Sequence, residues 1–333
     1  MSNVSITQRC NRGCSYCFAE DVMRATPQAA VYMPLDEFED SLDFLERSGV
    51  DYVSVLGGEP TIHPEFTEMV DRAIARGFRV LVLSGGLIPE RVMKKLEATS
   101  DNELTVMMNV APPGGEFSQR ELEKQQAVMR RLGAKVVLGL NIDGPRVPLD
   151  FLLDWIDEYQ LTRAVRLGLA HPIVGGANAY LDPRDYPAVG RRVADFAFRA
   201  RDVEVQIEFD CGWVPCMFPP GVMEELGIPP QQVGLRCNPI LDILPGRQVI
   251  SCYPLAKLAR EALPLEQDGS WLADRFTERL GQYRPMMLYR ECATCAWRER
   301  GECSGGCIAK GMRRMQSPVP ITRSASRPVQ IER

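Results

Sequence analysis

Histidine is nearly absent: the 333 residues hold two, His63 and His171. That count excludes histidine-rich metal sites and most histidine-based acid–base designs. An excess of positive charge is missing too. With 39 basic residues against 44 acidic ones the net charge is −5, so no global field attracts a phosphate backbone and nucleic acid is not expected as a partner. No stretch approaches the roughly 18 to 20 uninterrupted apolar residues of a membrane span, and the N-terminus lacks the basic, apolar, small-residue order of a signal peptide. Membrane insertion and secretion are disfavoured, and a cytoplasmic location is expected. What remains is ordinary: 45% hydrophobic and 25% charged residues suit a folded globular chain and not a disordered or fibrous one. The length points to about two domains.

Cysteine is distributed unevenly. Of eleven, Cys10, Cys14 and Cys17 lie at the start, residues 18 to 210 contain none, and Cys211, Cys216, Cys237, Cys252, Cys292, Cys295, Cys303 and Cys307 follow. A chain without a signal peptide keeps these as thiols, and an odd number does not pair completely. Two separate cysteine sites are implied.

Between them, short apolar runs alternate with longer segments of helical period. The expected strands are 3–8, 52–57, 79–84, 104–109, 135–142, 164–170 and 203–209, and the expected helices 35–48, 65–76, 89–98, 117–132, 149–159 and 183–200. Asp36 and Glu37 in a first turn, and the Gly77 and Gly133 stops, are ordinary helix-end signals. Strands apolar on both faces and separated by helices read as βα units on a parallel sheet, an α/β fold. About six such units fit a partial (β/α)6 TIM-type barrel, whose chemistry gathers at the carboxyl ends of the strands. After about residue 205 the alternation fades into Pro-, Gly- and Cys-rich sequence, such as Pro219-Pro220, Pro229-Pro230 and Pro245-Gly246. The expected division is therefore 1–205, a cysteine-rich domain over 206–310 that depends on metal staples, and a basic, solvated tail over 311–333. That tail reading takes in Lys310, Arg313, Arg314, Arg323, Arg327 and Arg333 against Glu332.

Cys10-x3-Cys14-x2-Cys17 offers three thiolates from one loop after the first strand. A structural zinc or a closed iron–sulfur cluster takes four protein ligands, so three leave a coordination position for a small molecule. A zinc loop completed by a distant residue is the plain alternative. Gly57-Gly58-Glu59-Pro60 follows the second strand on the same rim; glycines permit close backbone approach, and a carboxylate matches an ammonium. Alone, such a run is a turn.

Together the residues CNRGCSYC and GGEP resemble the radical S-adenosylmethionine (AdoMet) enzymes. The resemblance implies that Cys10, Cys14 and Cys17 hold a 4Fe-4S cluster whose fourth iron is chelated by AdoMet, that Tyr16 lies beside the adenine, and that the Gly57, Gly58, Glu59 and Pro60 run meets the AdoMet amino group. Ser84 and Asn109, at the ends of the third and fourth strands, resemble the family's carboxylate and ribose contacts; read without the family they are loop-capping polar residues. Gly139 is similar to the strand-five region near adenine. The implied chemistry is reductive cleavage of AdoMet to a 5′-deoxyadenosyl radical that abstracts a substrate hydrogen, with electrons from an external donor such as flavodoxin or ferredoxin.

The run Cys292-x2-Cys295-x7-Cys303-x3-Cys307 resembles the core of the SPASM extension, with a middle spacing of seven where the family has five. A zinc ribbon is the alternative. The resemblance implies two auxiliary 4Fe-4S clusters, the first on Cys237, Cys252, Cys307 and either Cys211 or Cys216. The second would take Cys292, Cys295 and Cys303, its fourth ligand being Cys211, another residue, or an iron left open to substrate. Members that oxidise a sulfatase side chain carry a carboxylate after the cysteine matching Cys252; here Tyr253 stands there, and Tyr253, Asp210 and Asp242 are the catalytic candidates. SPASM-type members modify ribosomally made peptides or proteins through thioether, carbon–carbon or carbon–oxygen links, and others act on small molecules. The leading expectation is a peptide-modifying oxidative enzyme, a maturase. The alternatives are a small-molecule dehydrogenase, decarboxylase or cyclase, and a non-catalytic iron–sulfur scaffold. Because the cysteine loop begins at residue 10, recognition of a leader peptide is expected from a separate protein or from the C-terminal domain.

Overall fold

The computed structural model describes residues 3–115, 117–228 and 236–316. The Pro229-Pro230 break and the tail residues Arg323, Arg327, Glu332 and Arg333 lie outside them. Seven parallel strands run side by side in chain order: β1 (Asn3–Thr7), β2 (Tyr52–Gly57), β3 (Arg79–Ser84), β4 (Leu104–Asn109), β5 (Val136–Ile142), β6 (Ala164–Leu169) and β7 (Gln206–Phe209). On the far side of β1 come β8 (Asp242–Leu244), parallel to it, then β9 (Gln248–Ile250) and β10 (Arg260–Ala262), both antiparallel to their neighbours. The sheet reads β10-β9-β8-β1-β2-β3-β4-β5-β6-β7, an open barrel whose two ends do not pair.

The crossovers are α1 (Glu20–Ala25) with α2 (Leu35–Arg47), then α3 (Phe66–Ala75), α4 (Glu90–Ala98), α5 (Gln119–Leu132), α6 (Phe151–Tyr159) and α7 (Tyr186–Asp202). Local chemistry fixes their starts. Ser118 and Glu121 form a reciprocal capping box on α5, which satisfies two otherwise unpaired donors, and α2 opens after Pro34 with Asp36 and Glu37 in its first turn, favourable against the helix dipole. The second half adds α8 (Val222–Glu225), α9 (Gly269–Gly281), α10 (Ala296–Glu299) and α11 (Ile308–Met315).

The strands are not buried equally on both faces. On β3, Val80 and Val82 are buried while Leu81 and Leu83 are half-buried; on β5, Val136, Leu138 and Leu140 are buried while Val137 and Asn141 are half-buried. One face packs on the helices and the other lines an incompletely filled lumen. Apolar composition hides this, because a lumen face of Leu and Val reads like a core face.

The expected border at 205 does not interrupt the fold. Just beyond it β7 pairs with β6, Ala164 facing Gln206 and Leu167 facing Phe209, and one continuous hydrophobic core runs from Val4 to Ala309. The β8–β9 turn is tied to α2 by Arg247, which bonds Asp36, Glu37 and Asp40, and the Gly269 N–H of α9 donates to Ser48 Oγ at 2.8 Å. The expected start of the tail also needs correction. Residues 308–315 form α11, and Lys310 is buried, donating to Leu181 O at 2.8 Å; α11's amphipathic pattern, short and beginning at a cysteine, was masked by its basic residues. No helix among the described residues is long and apolar enough to cross a membrane.

Candidate functional site

The loop after β1 carries the first three thiols to the carboxyl rim of the sheet. Cys10 is exposed, Cys14 and Cys17 are half-buried, and Cys17 N–H closes the loop on Cys14 O at 3.1 Å. Desolvation pushes the Cys10 thiol up to about 11, and the charges of Glu59, Cys14 and Cys17 add to it; burial likewise raises Cys17, with a neighbouring charge from Cys14. Three crowded thiols, of which Cys10 and Cys17 resist ionising alone, are the donor set a cationic cluster stabilises, since binding takes up thiolates and releases protons.

The Gly57-Gly58 pair brings β2 against this loop. Gly58 N–H donates to Thr7 O at 2.9 Å and Glu59 N–H to Arg9 O at 2.8 Å, and a Cβ on Gly58 would stand 2.2 Å from Arg9 O. Only glycine fits there. Pro60 starts the 3-10 turn Pro60–Ile62 that follows. Glu59 itself is turned inward and fully buried: Thr61 Oγ1 donates to it at 2.6 Å, Ser84 Oγ at 3.0 Å and Gly85 N–H at 2.8 Å. Burial raises its pKa and these donors oppose the rise. So Glu59 and Ser84, expected as ligand contacts, bond to each other here, and the motif presents backbone to the rim. Asn109 differs: its Oδ1 is buried without a hydrogen-bond partner among the described residues, above the space that Gly139 leaves free. An unpartnered acceptor on this rim fits a ligand hydroxyl.

Other residues hold the loop that sequence reasoning passed over. Arg12 donates to Gly85 O at 2.9 Å and lies over the Phe117 ring at 3.0 Å; Asn11 Nδ2 donates to Leu87 O at 2.9 Å. From beyond β6, Asn178 Nδ2 donates to Tyr16 O at 3.2 Å and Ala179 N–H to Ser15 O at 2.9 Å. Arg12 sits inside the cysteine motif, so its position was visible; its partners were not.

Across the lumen a polar row runs from β5 to β7. Gly168 leaves room for Asn141 Oδ1 and an Arg166 nitrogen, and Arg166 pairs with Asp210. Asp210 is half-buried; the other two catalytic candidates are enclosed. Tyr253 donates its hydroxyl to Ser5 Oγ at 2.9 Å, and burial raises its pKa. Asp242 accepts from Asn3 Nδ2 at 2.7 Å and burial pushes it up to about 7.

The eight later thiols fall into two sets. Cys237 and Cys307 share a hydrogen bond that favours the Cys237 thiolate; Cys211 and Cys252 are raised by burial and by the charge of Cys237, and Cys211 also acts on Cys252 and Cys307. His171, buried, places Nε2 3.6 Å from Cys211 Sγ. The second set, Cys216, Cys292, Cys295 and Cys303, lines a partly open pocket with Leu288, Tyr289 and Trp297. These thiols surround a volume instead of meeting at a point; among the described residues no three His, Cys, Asp or Glu side chains close on a single metal ion. Sets of four thiols around a void suit a cluster.

Residues 4–138 match the model of the radical SAM superfamily. The chain is 32% identical over 101 residues, 30% of its length and 34% of the relative's, to an S-adenosylmethionine-dependent nucleotide dehydratase of a Thermoplasmatales archaeon (strain ISO4-H5). It is 32% identical over 107 residues, 32% of its length and 26% of the relative's, to the mycofactocin maturase MftC of Mycobacterium tuberculosis. It thus spans about a third or less of the curated relatives named here. In fold it is similar to Streptococcus suis SuiB, solved bound to precursor peptide SuiA, at a TM-score of 0.66 and 16% identity over 98% of this chain and 74% of that one. Residues 4–138 thus form a radical SAM domain, and the cysteine-rich C-terminal region is consistent with a SPASM domain.

Proposed function

We propose that the protein is a radical AdoMet oxidoreductase that modifies a ribosomally made peptide or protein. The observation that carries the AdoMet reading is the three-thiol loop seated on Gly58, with the unpartnered Asn109 Oδ1 on the same rim. Cys10, Cys14 and Cys17 would hold a 4Fe-4S cluster, whose chemistry would be the one-electron reductive cleavage of AdoMet, supplied by a flavodoxin- or ferredoxin-type donor, to methionine and a deoxyadenosyl radical able to take a hydrogen atom from the substrate. The chain's part is to orient and exclude water. Arg12 and Asn178 fix the loop, the half-buried row Asn141, Arg166 and Asp210 offers hydrogen bonds to a substrate backbone, and Asp210 Oδ2, held by Arg166, is the accessible acceptor for the proton a substrate radical loses on oxidation, its electron going to an auxiliary cluster that the C-terminal thiols would hold. Tyr253 and Asp242 are enclosed and act on packing. The likeness to a maturase and to a structure bound to a precursor peptide supports the peptide class. The nucleotide dehydratase relative favours a second reading, a small-molecule substrate.

Anaerobic reconstitution tests this. The wild type should bind about twelve irons and a Cys10/Cys14/Cys17→Ala variant about eight, and on dithionite reduction only the wild type should turn AdoMet into 5′-deoxyadenosine. A short peptide encoded beside the protein should accelerate nucleoside formation and lose mass as hydrogen. Zinc in place of iron, or no nucleoside under any reductant, would overturn the reading.

A further inference from the structure

We propose that Cys216 closes the second auxiliary site from upstream, as its fourth thiolate beside Cys292, Cys295 and Cys303, and that Cys211 belongs to the first site with Cys237, Cys252 and Cys307. The proposal rests on the reading that the chain holds iron–sulfur clusters, and deepens it by naming which thiols hold which.

Four residues lie between the two thiols in sequence, and the fold sends them apart. Cys211 stands two residues past the end of β7 and turns toward His171, whose ring lies against Gly212: a Cβ there would stand 2.3 Å from the imidazole. Gly212, with φ at +95°, makes the reversal that only glycine adopts freely. The chain then dives. Trp213 is fully buried, its Nε1 donating to Leu167 O at 3.1 Å, and it stacks on Phe218 at 5.9 Å. Between these two anchors the 3-10 turn Pro215–Met217 carries Cys216. Gly190 of α7 clamps the turn from behind, since a Cβ there would stand 1.8 Å from Met217 O. Cys216 is thereby held on that turn, at the wall of the pocket that Cys292, Cys295 and Cys303 also line.

The other three thiols arrive on a tight frame. Gly305 N–H donates to Cys303 Sγ at 3.3 Å and Leu288 N–H to Gly305 O at 3.0 Å, and Arg298 lines the same pocket. Cys307, four residues past Cys303, is drawn to the other set by its hydrogen bond with Cys237. Buried Tyr186 stands edge-on to Tyr289, which lines the pocket of the second set. A second site with four thiolates has no iron open to substrate, so its role is electron transfer.

The test is made in the Cys10/Cys14/Cys17→Ala background, where every iron counted belongs to the C-terminal sites. Adding Cys216→Ala should lower the count from about eight to about four and remove one of two electron paramagnetic resonance signals of the reduced protein. Adding Cys292→Ala on top should cost nothing more, whereas adding Cys252→Ala should take nearly all the remaining iron; Cys211→Ala should give the mirror pattern. In unmutated holoenzyme, alkylation during slow chelation should label Cys216 at the rate of Cys292 and Cys303, and Cys211 at the rate of Cys252, a readout independent of how any variant folds. Unchanged iron with Cys216→Ala, or Cys216 labelling in step with Cys252, would overturn the assignment. Absent nucleoside with these patterns intact would sink the AdoMet reading and leave this one standing.

Discussion

The two cysteine regions are built in opposite ways. The N-terminal loop gathers three thiols from eight consecutive residues, keeps them exposed or half-buried at the rim, and is positioned by backbone hydrogen bonds and by Arg12. The C-terminal sets draw eight thiols from separate segments between Cys211 and Cys307 and sink several into the continuous core, where Cys303 and Cys307 pack beside Leu288 and Ile308. A site that must deliver a reactive group to a substrate stays open and locally assembled. A site that stores or relays electrons gains from burial, because a low-dielectric shell tunes potential and excludes water.

If that contrast is right, damage to the first region should spare the second. Gly58→Val is the sharpest test, because its side chain would have to enter the space of Arg9 O, 2.2 Å from the Cβ position, and Cys10 N, 2.8 Å away. Production of 5′-deoxyadenosine should fall by about a hundredfold or more, as expected when reacting groups lose register, with about four irons lost and about eight kept. Iron lost in equal proportion from all sites would break the comparison. Arg12→Ala should act more gently. The loop would lose its bond to Gly85 O and its contact with Phe117 while retaining all three thiols, so iron content should be unchanged and the KM for AdoMet should rise by about tenfold. A fall in iron content would mean that Arg12 holds the cluster site itself.

The same contrast explains what the sequence made legible. The strands of the barrel were readable because each is a short β-branched run bounded by turn residues, and β2, β3 and β4 fall at the expected positions. Cys10, Cys14, Cys17 and Gly58 were readable because their interplay is confined to one loop and the strand beside it. The C-terminal half was not: β8, β9 and β10 span three residues each, too few for a period to register. The partition of Cys211 from Cys216 depends on Gly212, Trp213 and Gly190, and the last lies on a helix before both. Glu59 was legible as part of the rim motif but not in its orientation, because donors that turn it inward come from Ser84 at the end of β3 and from Gly85 just after it.

The smallest effect concerns two buried carboxyl groups, one in each region. Glu59 is surrounded by donors from Thr61, Ser84 and Gly85. Asp242 receives one side-chain donor, from Asn3, and burial with the charge of Asp210 pushes it up from 3.8 to about 7. A carboxyl whose folded pKa exceeds its unfolded value binds its proton more tightly in the folded state. Its contribution to stability is fully present below about pH 4, declines as pH climbs toward 7, and is level above that. Asp242→Asn keeps an oxygen for Asn3 and removes the titration. The variant should therefore be more stable than the wild type at pH 8, by something on the order of 2 kcal/mol, with the gap closing as pH falls toward 4. Anaerobic thermal melts across that range measure it. Parallel curves would mean that Asp242 is as well solvated by protein donors as Glu59, and the two regions would then differ in the burial of their thiols but not in the burial of charge.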